Sequence, residues 1–210
     1  MTSSLDDTPL FKWASQIQSI GQNGLTFAQS EYDKERYQQL VQIAADMMAA
    51  ISHTPIEKIM NLFGEQTGYA TPKIDVRGAI FKDDKVLMVK ETTDQLWTLP
   101  GGWADRDLSP AYCVQKEIFE ESGFEAKVIK LVALYDKWKH DHPRQWPHTY
   151  KCFFLCEIVG GEPRTSIETC AVEFFPVDKL PALSLPRVTA SQIQRCYAHF
   201  RDIHLATDFD

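Results

Sequence analysis

Three glutamates, Glu117, Glu120 and Glu121, are spaced so that they share one face of a predicted helix. Side chains three and four residues apart are neighbours on a helix, and like charges with that spacing repel by roughly 0.2–0.5 kcal/mol per pair. The three also fall in the last turn, where negative charge opposes the helix dipole. We therefore expect a positive partner, and oxygen ligands with spare negative charge favour a hard divalent cation, Mg²⁺ or Mn²⁺.

Flanking residues predict the elements that position these carboxylates. Ser109 followed by Pro110 is an N-cap and first-turn signal, and Gly123 stands where a left-handed C-terminal cap belongs, so we predict a helix over 110–121. The sequence LPGGW at 99–103 predicts a strand end followed by a double glycine, which lets the backbone approach a ligand closely. An isolated EIFEE motif would more simply be a solvated acidic helix end, but this context favours a metal site.

The same segment resembles the motif of Nudix hydrolases, which is G, five residues, E, seven residues, then R-E-U-x-E-E-x-G-U, where U is bulky and apolar. The positions that match in order and spacing are Gly102, Glu117, Ile118, Glu120, Glu121, Gly123 and Phe124. Leu108 stands where the first glutamate would be, and Lys116 where the arginine would be. In the family that arginine helps to orient the glutamates, and a lysine cannot reproduce its planar, two-pronged hydrogen bonding.

Similarity outside the motif covers nearly the whole chain and is strongest to the bacterial Nudix subgroup that includes CDP-choline pyrophosphatases. It rests on the helical N-terminal segment and on the segments 68–81, 99–105, 134–143 and 150–162. This resemblance implies an N-terminal helical domain, a homodimer and, in some members, trimming of RNA from its 3′ end.

The implied activity is metal-dependent hydrolysis of the pyrophosphate bond in a nucleoside diphosphate linked to another group. CDP-choline, giving CMP and phosphocholine, is the preferred substrate. The alternatives are an ADP-ribose or nucleotide-sugar pyrophosphatase and, from a different class, a non-catalytic nucleotide sensor, which the departures at Leu108 and Lys116 permit.

Motif and resemblance together assign candidate residues to three roles. The metal ligands are Glu117, Glu121 and the Gly101 carbonyl, the catalytic residues are Glu120, Lys116 and Glu168, and the substrate-binding residues are Arg77, Trp103 and His148.

Some of these assignments have a simpler structural alternative. Glu168 is the candidate second carboxylate from outside the helix, or an ordinary loop carboxylate. Arg77 either clamps a phosphate or forms a structural salt bridge. Trp103 suits stacking on a base or a choline group, although such a ring is more often core. His148, grouped with His140 and His142 in a proline-containing loop, fits substrate contact better than zinc binding.

Composition restricts the class of partner. The 210 residues carry a net charge of −7, which argues against DNA or long polynucleotides and for a small nucleotide or a short RNA end. The five cysteines include no CxxC pair, so neither a disulfide framework nor a zinc ribbon is indicated. No membrane-spanning run or leader is evident, and we expect a cytoplasmic protein.

Hydrophobic periodicity divides the chain into a helical domain, 1–68, and a domain of strands and helices, 69–210, which the resemblance implies is the Nudix domain. The helical domain is predicted to be a dimerisation arm. For the first domain we predict three helices. The first begins at Thr8 and Pro9 and ends at Gly21 and Gly24, and the second covers 30–52. The third is short, begins at a capping box of Thr54, Pro55 and Glu57, and ends near Gly64. For the second we predict strands at 74–81, 86–90, 96–99, 126–138, 149–159 and 171–176, turns at 82–85 and Gly160–Gly161, and a last helix over 189–202. This pattern indicates an α/β class protein: an α/β/α sandwich with a mixed sheet, preceded by a small all-α domain.

Overall fold

The computed structural model describes residues 9–210, and the chain forms two compact units divided between Thr71 and Pro72. Thr8, the predicted start of the first helix, lies outside the described residues. No helix in the described part of the chain combines the length and apolar character needed to cross a bilayer.

The first unit consists of three helices, α1 (Pro9–Phe27), α2 (Glu31–Ser52) and α3 (Ile56–Gly64). The second and third predicted helices are confirmed, but the predicted end of α1 is wrong because the helix continues through Gly21 and Gly24. Both glycines lie where α1 crosses α2. A β-carbon on Gly21 would lie 2.6 Å from Val41 Cγ2, and one on Gly24 would lie 2.1 Å from the Tyr37 ring. The glycines therefore serve close helix packing and not helix termination.

The predicted capping box at the start of α3 is also wrong. Pro55 occupies the N-cap position and no side chain caps the helix. The Thr54 hydroxyl instead points back along the chain and donates to the Ser52 carbonyl at 3.5 Å. Helix α3 is short, and its buried residues, Ile59 and Phe63, attach it to the unit.

We expect Gly21→Ala to destabilise the first unit by about 1–3 kcal/mol, because the added methyl group overpacks the contact between α1 and α2. Gly64→Ala is the matched control, since a β-carbon there has no neighbour within 4 Å. Urea unfolding followed by circular dichroism measures both. Equal stability of the two variants would contradict the role given to Gly21.

The second unit contains seven strands, two α-helices and a short 3₁₀ helix. The strands are β1 (Lys73–Lys82), β2 (Lys85–Glu91), β3 (Trp97–Thr98), β4 (Phe124–Asp136), β5 (Thr149–Gly161), β6 (Thr169–Pro176) and β7 (Asp208–Phe209). The helices are α4 (Pro110–Ser122) and α5 (Ala190–Arg201), and the 3₁₀ helix is Lys137–Lys139.

Strand pairing produces the mixed sheet expected from the sequence. Strand β1 runs parallel to β5, β5 antiparallel to β4, and β4 parallel to β7, while β2 pairs antiparallel with β6, β3 and the end of β1. One core cluster includes residues of α5 and the other includes residues of α4, so the helices cover two sides of the sheet. The predicted mixed α/β fold, preceded in the sequence by a helical N-terminal region, is confirmed.

Three local predictions in this unit need correction. Gly160 and Gly161 do not form a turn, because β5 continues through both and pairs with Glu125 and Phe124 of β4. The strand predicted to reach Trp138 ends at Asp136 and is followed by the 3₁₀ helix. Strand β7 was not predicted, since a two-residue strand has no periodicity.

Candidate active site

Helix α4 carries the acidic motif, and its ends confirm the sequence prediction. The Tyr112 backbone N–H donates to Ser109 Oγ at 3.2 Å, and Gly123 adopts a φ of 78° while its N–H donates to the Phe119 carbonyl at 2.9 Å. The opposite face of the helix packs on β1, where Gly78 leaves space for Ile118: a β-carbon on Gly78 would lie 2.5 Å from Ile118 Cδ1. Local signals thus define the helix, and a glycine in the sheet sets how closely it approaches.

Glu117 and Glu121 lie against the double glycine that follows β3. The Gly101 N–H donates to Glu121 Oε2 at 2.9 Å, and Glu121 is only 4% exposed. A β-carbon on Gly102 would lie 3.1 Å from the carboxylate atoms of Glu117. Gly101 itself has a φ of 143° and passes so close to β1 that a side chain would collide with the Val76 carbonyl oxygen. Both glycines are therefore required for the backbone to reach the two carboxylates.

The electrostatic environment of Glu117 and Glu121 differs from that of a solvated helix end. Burial raises the pKa of Glu117 to about 7 and that of Glu121 to about 8, against the opposing charge of Arg77. An acidic neighbour adds to the effect of burial, because the charge of Glu120 also raises the pKa of Glu117 and the charge of Glu117 also raises the pKa of Glu121. The two carboxylates thus lack sufficient positive charge around them.

Arg77 is held by a buried ion pair on β1. Its Nε and Nη2 atoms donate to the two carboxylate oxygens of Asp75 at 3.0 and 2.8 Å, and Nη1 donates to the Leu99 carbonyl at 3.2 Å. Lys151 Nζ, on the neighbouring strand β5, lies 2.6 Å from Asp75 Oδ1. Burial would raise the pKa of Asp75, but Arg77 and Lys151 outweigh it and hold that pKa at about 2. Of the two alternatives for Arg77, the salt bridge is present.

Glu91, at the end of β2, is a site residue that the sequence analysis missed. It is 5% exposed, its carboxylate bonds Arg187 Nε at 2.9 Å, and burial raises its pKa. Its charge acts on both Arg77 and Glu121. The available signal was a glutamate at the end of an apolar strand, at a position whose alternation predicts an inward-facing side chain.

Glu120 and Lys116 lie at the outer side of the motif. Lys116 Nζ bonds Asp105 Oδ2 at 2.8 Å and lies 3.7 Å from Glu120 Oε2, and the hydrogen bond to Asp105 raises the pKa of Lys116. The Glu120 side chain is 53% exposed. The three glutamates of the motif are therefore not equivalent: Glu117 and Glu121 point inward, and Glu120 faces the solvent side.

The remaining predicted residues occupy separate positions around this centre. Trp103 is 50% exposed and pairs with Asp75, and Lys73 Nζ lies 5.9 Å from the centre of its ring. His148 Nε2 is 2.8 Å from Asp136 Oδ1, and the His148 ring lies against the Trp138 ring, tilted by 30° with the centroids 4.3 Å apart.

Glu168 is exposed in the segment before β6, where its backbone carbonyl accepts from the Thr92 N–H at 2.8 Å. Its charge acts on Glu117 and on Glu91, so this carboxylate faces the acidic centre.

The donor set fits a hard divalent cation. Within residues 9–210 no three His, Cys, Asp or Glu side chains form a preformed cage for an ion. Mg²⁺ does not require such a cage, because it is typically bound by one or two carboxylates, several waters and the phosphate oxygens of a substrate. Glu117, which is half-buried, and Glu121, which is buried, supply two carboxylates with too little positive charge around them. The arrangement can bind a cation and, through it, a phosphorylated substrate.

Comparison with family models identifies both units. A model described as the NUDIX domain matches residues 71–197, and one described as a UDP-X-like, N-terminal oligomerisation domain matches residues 8–63.

Two of the similar proteins match nearly the whole chain, and a third matches two thirds of it. The Bacillus subtilis protein YjhB, provisionally named an ADP-ribose pyrophosphatase, is 45% identical over 202 residues, which are 95% of this chain and 97% of that protein. The crystal structure of a UDP-X diphosphatase is 32% identical, with a TM-score of 0.63, and covers 96% of this chain and 98% of its own. The crystal structure of an ADP-ribose pyrophosphatase from Streptococcus suis is 44% identical, with a TM-score of 0.62, and covers 67% of this chain and all of its own.

Proposed function

This chain belongs to the Nudix hydrolases, and from that premise we propose that it hydrolyses the pyrophosphate bond of a nucleoside diphosphate linked to a further group, with Mg²⁺ or Mn²⁺ as cofactor. The observation that carries the proposal is the pair of half-buried Glu117 and buried Glu121, which lie against the double glycine and are short of positive charge. A bound divalent cation would supply activation of water and neutralise the charge that develops on the leaving phosphate.

The protein's own residues have distinct parts in this proposal. Glu117 and Glu121 would hold the cation together with the Gly101 carbonyl. Glu120 and Glu168 are the two carboxylates on the open side of the centre, where a proton can be exchanged with water, and either suits the general base. Lys116, bonded to Asp105 beside Glu120, would offset negative charge at that side when the substrate binds.

Two substrate classes compete for the group beyond the diphosphate. CDP-choline, preferred from the sequence, requires aromatic ring faces for its trimethylammonium group. The Trp103 ring already has the Lys73 ammonium group nearby, which would compete with and repel a second cation. The group beyond the diphosphate in ADP-ribose is an uncharged ribose, and two relatives are named for that substrate. We therefore favour ADP-ribose, cleaved to AMP and ribose 5-phosphate, over CDP-choline.

The test is turnover of a substrate panel containing ADP-ribose, CDP-choline, a UDP-sugar and a short RNA, each with Mg²⁺ or Mn²⁺. We expect kcat/KM for ADP-ribose to exceed that for CDP-choline. Turnover of none of the four would contradict the enzyme function, and a preference for CDP-choline would contradict the ADP-ribose assignment.

Lys73→Met should raise kcat/KM for CDP-choline relative to ADP-ribose by about two- to fivefold, because it frees the Trp103 ring of a competing cation. Lys179→Met, which removes an exposed lysine after β6, is the matched control and should leave the ratio unchanged. An unchanged ratio in Lys73→Met would show that Trp103 does not contact the distal group.

Several further properties remain predictions. His148 would contact the substrate from the loop that follows the 3₁₀ helix. The oligomerisation model matched by residues 8–63 supports a homodimer formed through the first unit. Activity on RNA 3′ ends and a cytoplasmic location follow from the sequence resemblance and composition alone.

A further inference from the structure

The buried ion pair of Asp75 and Arg77 on β1 is linked to Glu121 through the segment that follows β3. Arg77 Nη1 donates to the Leu99 carbonyl at 3.2 Å, and two residues further along the same segment the Gly101 N–H donates to Glu121 Oε2 at 2.9 Å. The segment is a short extended connection with little secondary structure of its own. The position of the Glu121 carboxylate therefore depends on what holds that connection.

The connection is held along the length of β1. The Val76 N–H donates to the Gly102 carbonyl at 2.8 Å, and the Gly78 N–H donates to the Pro100 carbonyl at 2.9 Å. Arg77, which lies between these two residues, adds a side-chain hydrogen bond from β1 to this connection. A β-carbon on Gly101 would approach the Arg77 Cα to 2.9 Å, so the two segments are in close contact. Backbone bonds set the register, and the Arg77 side chain fixes the strand end from the buried side.

The guanidinium is in turn fixed by groups that cannot move easily. Asp75 accepts two of its N–H groups, and Asp75 also accepts from Lys151, whose side chain is 1% exposed. The paired side chains of Arg77 and Asp75 are 5% and 9% exposed. A bidentate, buried pair of this kind defines both the distance and the plane of the guanidinium. Because the Nε and Nη2 atoms of Arg77 already donate to Asp75, Arg77 is poorly suited to bind a substrate phosphate in a bidentate manner.

Charge places Arg77 at the same centre. The charge that lowers the pKa of Glu117 most is that of Arg77, and the same holds for Glu121. The charge of Glu91 acts in turn on Arg77. On the other side of α4, Lys116 is bonded to Asp105 at the surface. Arg77 is thus the buried cation next to the inward-facing carboxylates.

We propose that Arg77 is a positioning residue for the metal site: anchored by Asp75, it holds the Leu99–Gly102 connection in the place that keeps the Glu121 and Glu117 carboxylates together for a cation. The inference rests on the proposed function, because it concerns the same cation. It assigns Arg77 to metal affinity and not to substrate binding, which separates it from the phosphate clamp considered from the sequence.

The test compares Arg77→Lys with wild type and with Arg201→Lys, a control that makes the same substitution at an exposed arginine bonded to Asp84. Mn²⁺ affinity of the folded protein is measured by electron paramagnetic resonance without substrate. Arg77→Lys should weaken it roughly 10- to 100-fold, as loss of an outer partner of a metal ligand does. The Mg²⁺ concentration for half-maximal activity should rise by the same factor, with the substrate KM at saturating Mg²⁺ unchanged.

A merely structural arginine would lower the melting temperature but leave the Mn²⁺ affinity of the folded protein as in wild type, and that result would overturn the proposal. Should Arg77→Lys fail to fold, Asp75→Asn keeps the arginine but weakens its anchor, and it should reduce Mn²⁺ affinity in the same direction. Wild-type affinity in folded Asp75→Asn would also overturn it. Failure of wild-type protein to bind Mn²⁺ would instead refute the proposed function.

Discussion

Glu121→Gln is expected to lower kcat/KM by on the order of 10³-fold while the protein stays folded. The carboxylate of Glu121 is buried beside Glu117 and fixed by the Gly101 N–H, so it is the most constrained of the motif's acidic groups. A glutamine of the same shape can still accept that hydrogen bond, but it removes the charge that would attract the cation. Loss of roughly 4 kcal/mol of transition-state stabilisation corresponds to this factor.

The control for Glu121→Gln is Glu173→Gln, which makes the same change at an exposed glutamate on β6. It should retain wild-type activity. Because burial penalises the Glu121 charge, the metal-free Glu121→Gln protein should melt at the same or a higher temperature than wild type at pH 8. Retained turnover in Glu121→Gln, with the melting temperature intact, would remove the acidic pair from the mechanism.

Local sequence signals were sufficient to predict the helix that carries these carboxylates. Its N-cap, its first-turn proline and its C-terminal glycine act within one turn of the chain, and the structure places all three as predicted. The same local reasoning could not separate Glu120 from Glu117 and Glu121. The three share a helix face, but only the packing of α4 on β1 determines which side chains turn inward.

Local sequence signals could not predict contacts between residues that are far apart in the sequence. Asp75 and Lys151 meet because β1 and β5 are parallel neighbours in a register that places them opposite each other, 76 residues apart in sequence. Alternation did offer one clue, since Asp75 and Arg77 lie two residues apart in an apolar strand and so share a face. The prediction that α1 ends at Gly21 was wrong for a related reason. In sequence, a glycine that allows close packing against a neighbouring helix looks the same as a glycine that ends a helix.

The affinity for divalent cations is expected to rise on the order of 500-fold between pH 6 and pH 8. In the metal-free protein burial raises the pKa of Glu117 to about 7 and that of Glu121 to about 8, so both carboxyl groups hold protons at pH 6. A cation requires the ionised forms and must displace those protons. Mn²⁺ titrations from pH 5.5 to 9, with proton release measured by calorimetry in two buffers, test this expectation.

The same protonation equilibria make the folding stability of the metal-free protein fall as the pH rises, whereas the affinity for cations rises. Carboxyl groups whose pKa is raised in the folded state contribute stability that is fully present below about pH 4.5 and is lost as the pH rises from there through the folded pKa values of about 7 and 8. The metal-free protein should therefore lose stability over this range, and Mg²⁺ should raise its melting temperature more at pH 8 than at pH 6. Glu121→Gln should release fewer protons on binding any residual Mn²⁺. An affinity that is flat with pH would mean that the carboxylates are ionised before the cation arrives, and the charge deficit inferred for the acidic pair would not exist.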